Sequence, residues 1–469
     1  MNGLGKNKSG RGRTKPSRRY TGYLLLIVFL ALLAVSCSHE SKAPPEPPPP
    51  PPGEQDELLL RLRALPGLQV TPLQTPEGFS RCYLVTITQP IDHQNPSLGT
   101  FQQSFYLYHR SENAPTVFNS SGYGVNPEFG AIMELTALLQ ANQISLVHRF
   151  FPGAYLQDWN YLTIRQAADD QHRIRETLKD IYPGKWVSMG MSKGGMAALF
   201  YRRFYPADVE TTVAYSAPLM YVPDDPRFAP FLEQVGTAEC REKILEFQLQ
   251  AFSRRATLMP LFNIWGPVFH IISPEAAFEY TVLEFPFSFW QYGSQCDTIP
   301  GADATDQQIF DYLVDVSSPY YYTDDGVIHY RPLFYQAFTE IGYYPFIYEH
   351  VKEYLQAVPQ PDYRVFAPRD VELVFRPEVM QDVIPWLQTE GEKIIYIYGG
   401  DDPWSAAAIE LPAGVDALKI VQPGGCHRVG IGSLDQKALV IETLERWLNI
   451  PIDAAMLKAF KPSYEKIRM

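Results

Sequence analysis

Two patterns of apolar and polar residues follow one another along most of the chain. Short apolar runs, bounded by glycine, proline or polar residues, predict strands. These runs cover residues 82–88, 100–109, 116–118, 144–147, 186–189, 211–216, 393–398 and 417–421. Amphipathic segments predict helices over residues 134–143, 159–182 and 435–448. Because strands and helices alternate at a spacing typical of βαβ units, the predicted class is α/β with a parallel sheet.

The alternation stops between residues 221 and 382, where aromatic residues are frequent and the pattern is helical. Helices are predicted there over residues 247–259, 275–284 and 306–314. Strand patterns resume afterwards, so the sequence predicts a sheet interrupted by a helical insertion. The predicted boundaries are 58–220 for the first part of the sheet domain, 221–385 for the insertion and 386–469 for the second part.

One junction between a strand and a helix carries the run Gly190-Met191-Ser192-Lys193-Gly194. This is the G-x-S-x-G pattern of a nucleophile elbow, in which small residues let the chain turn sharply and expose the serine at the edge of an α/β-hydrolase sheet. The pattern also occurs in ordinary turns, so its meaning depends on partner residues. We predict Ser192 as the nucleophile and the N–H of Lys193, at the helix start, as an oxyanion donor.

A second oxyanion donor is expected in the loop after an earlier strand. The strand at 116–118 runs into Asn119-Ser120-Ser121-Gly122-Tyr123-Gly124. Backbone N–H groups after the third strand of an α/β-hydrolase sheet occupy this position, and an ordinary glycine-serine loop is the alternative. We predict Gly122 and Tyr123 as the donors.

Two late strands are each followed by a residue suited to acid–base chemistry. Asp401 and Asp402 follow the strand at 393–398, and His427 follows the strand at 417–421. The order serine, aspartate, histidine is that of an α/β-hydrolase triad. His427 would take the proton of Ser192, and a carboxylate would orient the imidazole. Spacing alone does not choose between the two aspartates.

The N-terminus predicts export to the cell envelope of a bacterium. A basic segment precedes an apolar run at 23–35, which is shorter than the roughly 20 residues of a membrane span. The run ends at Leu33-Ala34-Val35-Ser36-Cys37, which resembles a bacterial lipobox, so residues 1–37 are predicted as a lipoprotein signal peptide and Cys37 as the lipidated residue. An ordinary signal peptide or a retained anchor is the alternative. Residues 38–57, rich in proline, are predicted as a stiff tether.

Charge and cysteine content narrow the possible partners. The net charge of −12 argues against a nucleic-acid partner. Four cysteines remain after Cys37 and allow three pairings, of which we predict Cys240–Cys296 because both lie in the middle segment. The cysteines and histidines lack metal-binding spacing, so we predict neither a metal site nor a cofactor.

Several motifs together resemble a known family. The run Ser-Met-Gly-Met-Ser-Lys-Gly-Gly-Met at 188–196, with 201–206 and 213–218, resembles the prolyl tri/tetrapeptidyl aminopeptidase family of bacterial serine peptidases. The chain is more loosely similar to the prolyl carboxypeptidase and dipeptidyl peptidase II family. The shared segments are 148–151, 159–163, 287–293 and 402–405. Lys193 replaces an aromatic residue of these looser relatives, which favours the aminopeptidase branch.

The resemblance implies an α/β-hydrolase with a helical cap that removes short peptides from free N-termini, often after proline. It assigns the triad carboxylate to Asp402, within an Asp-Pro-Trp motif. An exopeptidase also needs a carboxylate for the α-amino group of its substrate. The candidates are Glu128, Glu134, Glu279 and Glu284. An apolar slot for proline is predicted from Phe287, Phe289 and above all Trp290.

Other functions compete with this prediction. The same triad would serve an esterase or lipase. A surface lipoprotein that captures peptides without cleaving them is the alternative outside the enzymes. The predicted partners are peptides with a free N-terminus and, through the lipid, a membrane; the sequence does not predict the oligomeric state.

Overall fold

Nine strands form a single sheet in the computed structural model, which describes residues 56–125, 132–262 and 268–459. Their bounds are β1 (Leu68–Pro72), β2 (Arg81–Pro90), β3 (Thr100–His109), β4 (Thr116–Ser120), β5 (Asn142–Leu146), β6 (Trp186–Met191), β7 (Thr211–Tyr215), β8 (Ile394–Gly399) and β9 (Leu418–Gln422). The predicted signal peptide, Cys37, Glu128 and almost all of the predicted tether lie outside the described residues.

The sheet combines an antiparallel edge with a parallel body. The strand order is β1-β2-β3-β5-β4-β6-β7-β8-β9. Strands β1, β2 and β3 pair antiparallel, β3 pairs antiparallel with β5, and every pair from β5 to β9 is parallel. All residues of β4, β5, β7 and β8 are buried, as expected for parallel strands that are covered on both faces.

Within the described residues, thirteen α-helices accompany these strands. Their bounds are α1 (Glu57–Ala64), α2 (Glu134–Leu138), α3 (Ile164–Leu178), α4 (Lys193–Phe204), α5 (Phe228–Gln234), α6 (Ala238–Ser253), α7 (Arg255–Phe262), α8 (Pro274–Tyr292), α9 (Asp306–Val316), α10 (Asp324–Gln336), α11 (Pro377–Thr389), α12 (Lys437–Leu448) and α13 (Ala455–Ala459). Alternate residues of the strands pack on opposite helical layers. Val117 and Val213 face the layer of α2 and α12, whereas Phe118 packs with α3 and α4.

Helices α5 to α11 lie between β7 and β8, which are neighbours in the sheet. The predicted fold class, an α/β-hydrolase sheet with an inserted helical cap, is therefore confirmed; the proposed domain boundaries stay a prediction. A disulfide joins Cys240 of α6 to Cys296, as predicted, with their Cα atoms 5.4 Å apart. The chain segment between the two cysteines contains α7, α8 and most of α6.

Two predicted helices differ from the structure for identifiable reasons. The helix predicted over 134–143 ends at Leu138, because Gln140 adopts a φ of 48° and Asn142 begins strand β5. Conversely, α8 continues through Pro286 to Tyr292, well beyond the predicted end at residue 284. Proline cannot donate to the carbonyl four residues earlier, at Val282, but the side chain of Gln248 donates to that oxygen at 2.9 Å. Because this side chain satisfies the carbonyl oxygen, the helix can continue past the proline.

Candidate active site

Ser192 lies at the turn between β6 and α4. Its φ of 57° and ψ of −129° fall where residues with a side chain are rare. Two glycines make the turn possible. A Cβ on Gly190 would lie 2.1 Å from the carbonyl oxygen of Gly194, and a Cβ on Gly194 would lie 2.2 Å from that of Ser120. Ser192 therefore has the strained backbone and the glycine neighbours expected of a nucleophile elbow.

The loop after β4 presses against the first turn of α4. Gly122 has a φ of 73°, and a Cβ there would lie 2.5 Å from the backbone nitrogen of Gly194. The Lys193 ammonium donates a hydrogen bond of 2.7 Å to the carbonyl oxygen of Gly122. The structure thus brings Gly122, Tyr123 and Lys193 together beside Ser192, while their role as oxyanion donors stays a prediction.

Tyr123 meets the serine through its side chain. Burial raises the pKa of its phenol, which keeps the hydroxyl protonated, and the nearby Ser192 hydroxyl opposes this shift. The backbone N–H that we predicted as an oxyanion donor donates to the hydroxyl oxygen of Ser121 at 3.3 Å. The phenol of Tyr123 therefore lies near Ser192, which the loop sequence alone did not indicate.

Lys193 is an unusually buried cation. Its side chain is 5% exposed, and Nζ lies 5.6 Å from the ring centroids of both Tyr123 and Phe151. Burial lowers the pKa of Lys193 to about 7, although the charge of Glu340 opposes this effect. Together with its bond to Gly122, these contacts make Lys193 the link between the nucleophile helix and the loop after β4.

An acid–base pair follows the last two strands, as predicted. Nδ1 of His427 lies 2.7 Å from Oδ2 of Asp402, and both side chains are buried. The other carboxylate oxygen of Asp402 accepts from the backbone N–H of Trp404 at 3.2 Å. An Nδ1–H that donates to Asp402 leaves Nε2 as the basic nitrogen of the ring. Of the two aspartates that spacing left open, Asp402 contacts the histidine, and Asp401 is half-buried beside it.

Helix α8 of the insertion contacts the histidine loop directly. The backbone N–H of His427 donates to the carbonyl oxygen of Gln291 at 2.9 Å. Next to this bond, a Cβ on Gly293 would lie 3.1 Å from Cβ of Cys426, so the helix end and the loop are in close contact. The motif at 287–293 therefore fixes the position of the histidine from the side of the insertion.

Two of the predicted amine-binding carboxylates already have backbone partners. The carboxylate of Glu134 accepts hydrogen bonds of 2.7 Å from the N–H groups of Ile431 and Gly432. Glu279 accepts from three consecutive N–H groups, at 356–358, and forms an ion pair with Arg255. Both side chains hold loops in place, and this geometry gives no support to either as an amine-binding residue.

Glu284 lies in a different environment. Its two carboxylate oxygens accept hydrogen bonds from the phenols of Tyr344, at 2.6 Å, and Tyr363, at 2.5 Å. Burial raises the pKa of Glu284 to about 7, while the two phenols oppose this shift. Sequence reasoning named Glu284 only as one acid among several, because the tyrosines that surround it lie about 60 to 80 positions further along the chain.

Aromatic residues of α8 line a cavity in the insertion. The cavity has a volume of about 280 Å³, and Phe287, Trp290 and Glu284 contribute to its wall. Phe289 is fully buried in the core instead. Phe287 stacks on Tyr344 at 3.9 Å, and both rings pack against Trp404, whose ring centroid lies 6.3 Å from that of His427. Aromatic rings are therefore in continuous contact from the cavity wall to the acid–base pair.

Within residues 56–125, 132–262 and 268–459, no cluster of three or more histidine, cysteine, aspartate or glutamate side chains is arranged to hold a metal ion. No helix there combines the length and hydropathy needed to cross a membrane.

The chain is similar to known peptidases. The family model described as PS-10 peptidase S37 matches residues 54–458. The prolyl tri/tetrapeptidyl aminopeptidase of Streptomyces mobaraensis is 35% identical over 429 residues, which cover 87% of this chain and 89% of that protein. A solved proline iminopeptidase of Mycobacterium smegmatis shares 14% identity at a TM-score of 0.40, over 78% of this chain and 99% of that one. A proline iminopeptidase-related protein of Thermus thermophilus shares 12% identity at a TM-score of 0.35, with the same coverage.

Proposed function

Since the chain belongs to the PS-10 peptidase S37 family and is a serine peptidase, we propose that it releases tripeptides or tetrapeptides from free N-termini by cutting after proline. The observation that carries the proposal is the contact of 2.7 Å between His427 and Asp402, in a sheet that also presents Ser192 on a nucleophile elbow. The similarity to the Streptomyces enzyme over 87% of the chain supports the substrate class.

The proposed reaction has two steps. Nε2 of His427 takes the proton of the Ser192 hydroxyl while Oγ bonds to the carbonyl carbon of the proline. The C–N bond then breaks, His427 gives its proton to the departing amine, and an acyl-enzyme remains. Water, activated by the same imidazole, releases the short peptide and restores Ser192. Asp402 holds the imidazole in the required tautomer and stabilises its positive charge.

The negative charge on the substrate oxygen needs donors at a fixed place. We propose the backbone N–H of Lys193, at the start of α4, together with the loop donors Gly122 and Tyr123. The phenol of Tyr123 supports this role, because it is protonated and lies near Ser192. Lys193 contributes a second time through its ammonium, which holds the loop by its bond to Gly122.

One set of substrates tests the proposal. A proline-ended tripeptide p-nitroanilide would be assayed with a free and with an acetylated N-terminus, next to acyl esters. We expect rapid release of nitroaniline from the free peptide, release at least about 30-fold slower from the acetylated peptide, and no turnover of the acyl esters. A fluorophosphonate probe should label the wild type and fail to label Ser192→Ala, which should keep less than about 10⁻⁵ of the activity.

Each alternative gives a different result. Equal rates on free and acetylated peptides would exclude the exopeptidase, although the protein would still be a peptidase. Turnover confined to acyl esters would identify an esterase, and absence of labelling in the wild type would favour a peptide-binding lipoprotein.

We also propose that the protein is exported and anchored to the cell envelope by a lipid on Cys37. The Cys240–Cys296 disulfide supports export, since such bonds persist in oxidising compartments. Metabolic labelling with a fatty-acid probe tests the anchor: the wild type should be labelled, and Cys37→Ala should be unlabelled and released into the soluble fraction. Label on Cys37→Ala would overturn the assignment.

A further inference from the structure

Three glutamates of the insertion are buried, but only one lacks a cationic partner among the described residues. Glu279 pairs with Arg255, and Glu340 pairs with Arg376 at 2.7 Å. Glu284 has only the phenols of two tyrosines as hydrogen-bond partners, and no lysine, arginine or histidine of the described residues forms an ion pair with it. A buried carboxylate whose charge is left uncompensated is a site that a cation would stabilise.

The cations that lie near Glu284 are engaged elsewhere. Arg241 lines the same cavity, but its guanidinium donates to the carbonyl oxygens of Gln234, Val235 and Gly236, at 3.3, 2.9 and 3.1 Å. His350 also lines the cavity; burial lowers its pKa, so the ring is neutral. The negative charge of Glu284 is therefore available to a ligand.

The cavity beside Glu284 suits the end of a peptide. Its volume of about 280 Å³ is near the lower limit of small-molecule sites, and its walls are mainly apolar, with Leu283, Phe287, Trp290 and Phe346 among them. Apolar walls around one buried, uncompensated carboxylate favour a ligand that carries one ammonium group and apolar neighbours. The other carboxylate that lines the cavity, Glu233, is exposed.

Aromatic rings connect this carboxylate to the acid–base pair. The ring of Tyr343 lies 4.7 Å from that of Tyr344 and 4.9 Å from that of Tyr363, the two residues whose phenols bind Glu284. It also lies 5.6 Å from the ring of Trp404, whose centroid is 6.3 Å from that of His427. Glu284 and His427 therefore contact the same aromatic cluster.

We infer that Glu284 binds the α-ammonium group of the peptide substrate, with Tyr344 and Tyr363 holding its carboxylate in place. The inference rests on the proposed exopeptidase function. It assigns amine binding to Glu284 and not to Glu134 or Glu279, which hold loops in place. The distance from Ser192 to Glu284 would then set the length of the released peptide.

Two substrates and two variants test this inference. The free and acetylated tripeptide anilides would be compared on the wild type and on Glu284→Gln, which retains an oxygen that can accept a phenol hydrogen bond. We expect kcat/KM for the free peptide to fall at least about 30-fold in the variant, since loss of one partner of a buried charge pair has at least this effect. Activity on the acetylated peptide should be unchanged, so the preference for a free N-terminus should disappear.

The controls separate this result from misfolding and from failure of the proposed function. Fluorophosphonate labelling of Glu284→Gln at the wild-type rate would show an intact nucleophile, and Glu242→Gln, at an exposed glutamate of α6, should keep the wild-type preference. If Glu284→Gln cannot be purified in folded form, Tyr363→Phe provides the test, because it leaves the carboxylate but removes one bond that orients it. The preference of Tyr363→Phe for a free N-terminus should fall, but by a smaller factor than that of Glu284→Gln.

Two outcomes would overturn the inference while leaving the exopeptidase intact. The first is a wild type that prefers the free N-terminus and a labelled Glu284→Gln that retains this preference. The second is a Tyr363→Phe variant whose preference is unchanged. A wild type without any preference would instead exclude the exopeptidase itself.

Discussion

The sheet and the helical insertion position their parts of the site by different means. At the carboxyl ends of the central strands, the backbone sets the geometry. Gly122, Gly190 and Gly194 allow chain segments to approach at distances that exclude a Cβ. In the insertion, side chains decide, because rings such as Phe287 and Tyr344 stack at 3.9 Å and surround Glu284. The position of the proposed nucleophile thus depends on a few glycines at fixed spacing, whereas the proposed amine-binding site depends on packing between distant segments.

The largest expected effect comes from adding one methyl group at Gly194, next to the proposed nucleophile. In Gly194→Ala, Cβ would lie 2.2 Å from the Ser120 oxygen and 2.8 Å from the Ser121 oxygen, both of them backbone atoms that cannot move aside. We expect no detectable peptidase activity and a loss of about 3 kcal/mol or more in the free energy of unfolding. Denaturant titration and the anilide assay measure both.

Gly424→Ala is the matched control. Gly424 also has a positive φ, of 67°, but a Cβ there would have no atom within 4 Å. Only the backbone penalty of about 1 kcal/mol should appear, with activity retained. If the two variants behave alike, then close backbone approach does not position the nucleophile, and the comparison between the two regions fails.

The next effect distinguishes two neighbouring carboxylates. Asp402→Asn should lower kcat by about 10⁴ with an unchanged melting temperature, because asparagine favours the wrong tautomer of the histidine. Asp401→Asn should stay within about threefold of the wild type, which corresponds to less than 1 kcal/mol. Steady-state kinetics on the free peptide anilide provide the measurement. A larger loss in Asp401→Asn than in Asp402→Asn would reverse the assignment of the orienting residue.

The smallest effect concerns pH and the insertion. Burial raises the pKa of Glu284 to about 7, so the carboxylate becomes neutral below this pH and no longer attracts an ammonium group. The ratio of kcat/KM for free over acetylated peptide should fall toward acid by up to about tenfold per pH unit. It should also fall above about pH 8, where the peptide amine loses its proton. Groups that act on the reacting bond affect both substrates equally, so their effects cancel in the ratio.

Other groups around Glu284 do not reproduce this profile. Burial raises the pKa values of the surrounding tyrosines, so their phenols stay protonated at neutral pH, and burial lowers the pKa of His350, which moves its titration toward acid. Arg241 and Glu233 also face the same cavity. In Glu284→Gln the acid limb should be absent; its persistence would assign the effect to another residue.

The sequence predicted the residues at the carboxyl ends of the strands better than those of the insertion. Ser192 and His427 follow strands whose apolar pattern is local, and a local pattern needs no knowledge of distant contacts. Asp402 was separated from Asp401 only by a family resemblance, and the structure shows its contact with His427. The position of the Tyr123 phenol near Ser192 was missed, because a loop sequence does not reveal where a ring points.

Within the insertion, the sequence predicted one cysteine pair and part of the helical structure. The disulfide between Cys240 and Cys296 was predicted, and α8 was predicted over its first half. The passage of α8 through Pro286 depends on Gln248, and the environment of Glu284 depends on Tyr344 and Tyr363. Such long-range pairings decide which acid is uncompensated, and the pattern along the chain does not contain them.

The bond from His427 to Gln291 joins the proposed general base to the insertion as well as to the sheet. Any displacement of α8 away from the sheet must therefore break this bond or carry the imidazole with it, so the geometry of the proposed triad depends on where the end of this helix lies.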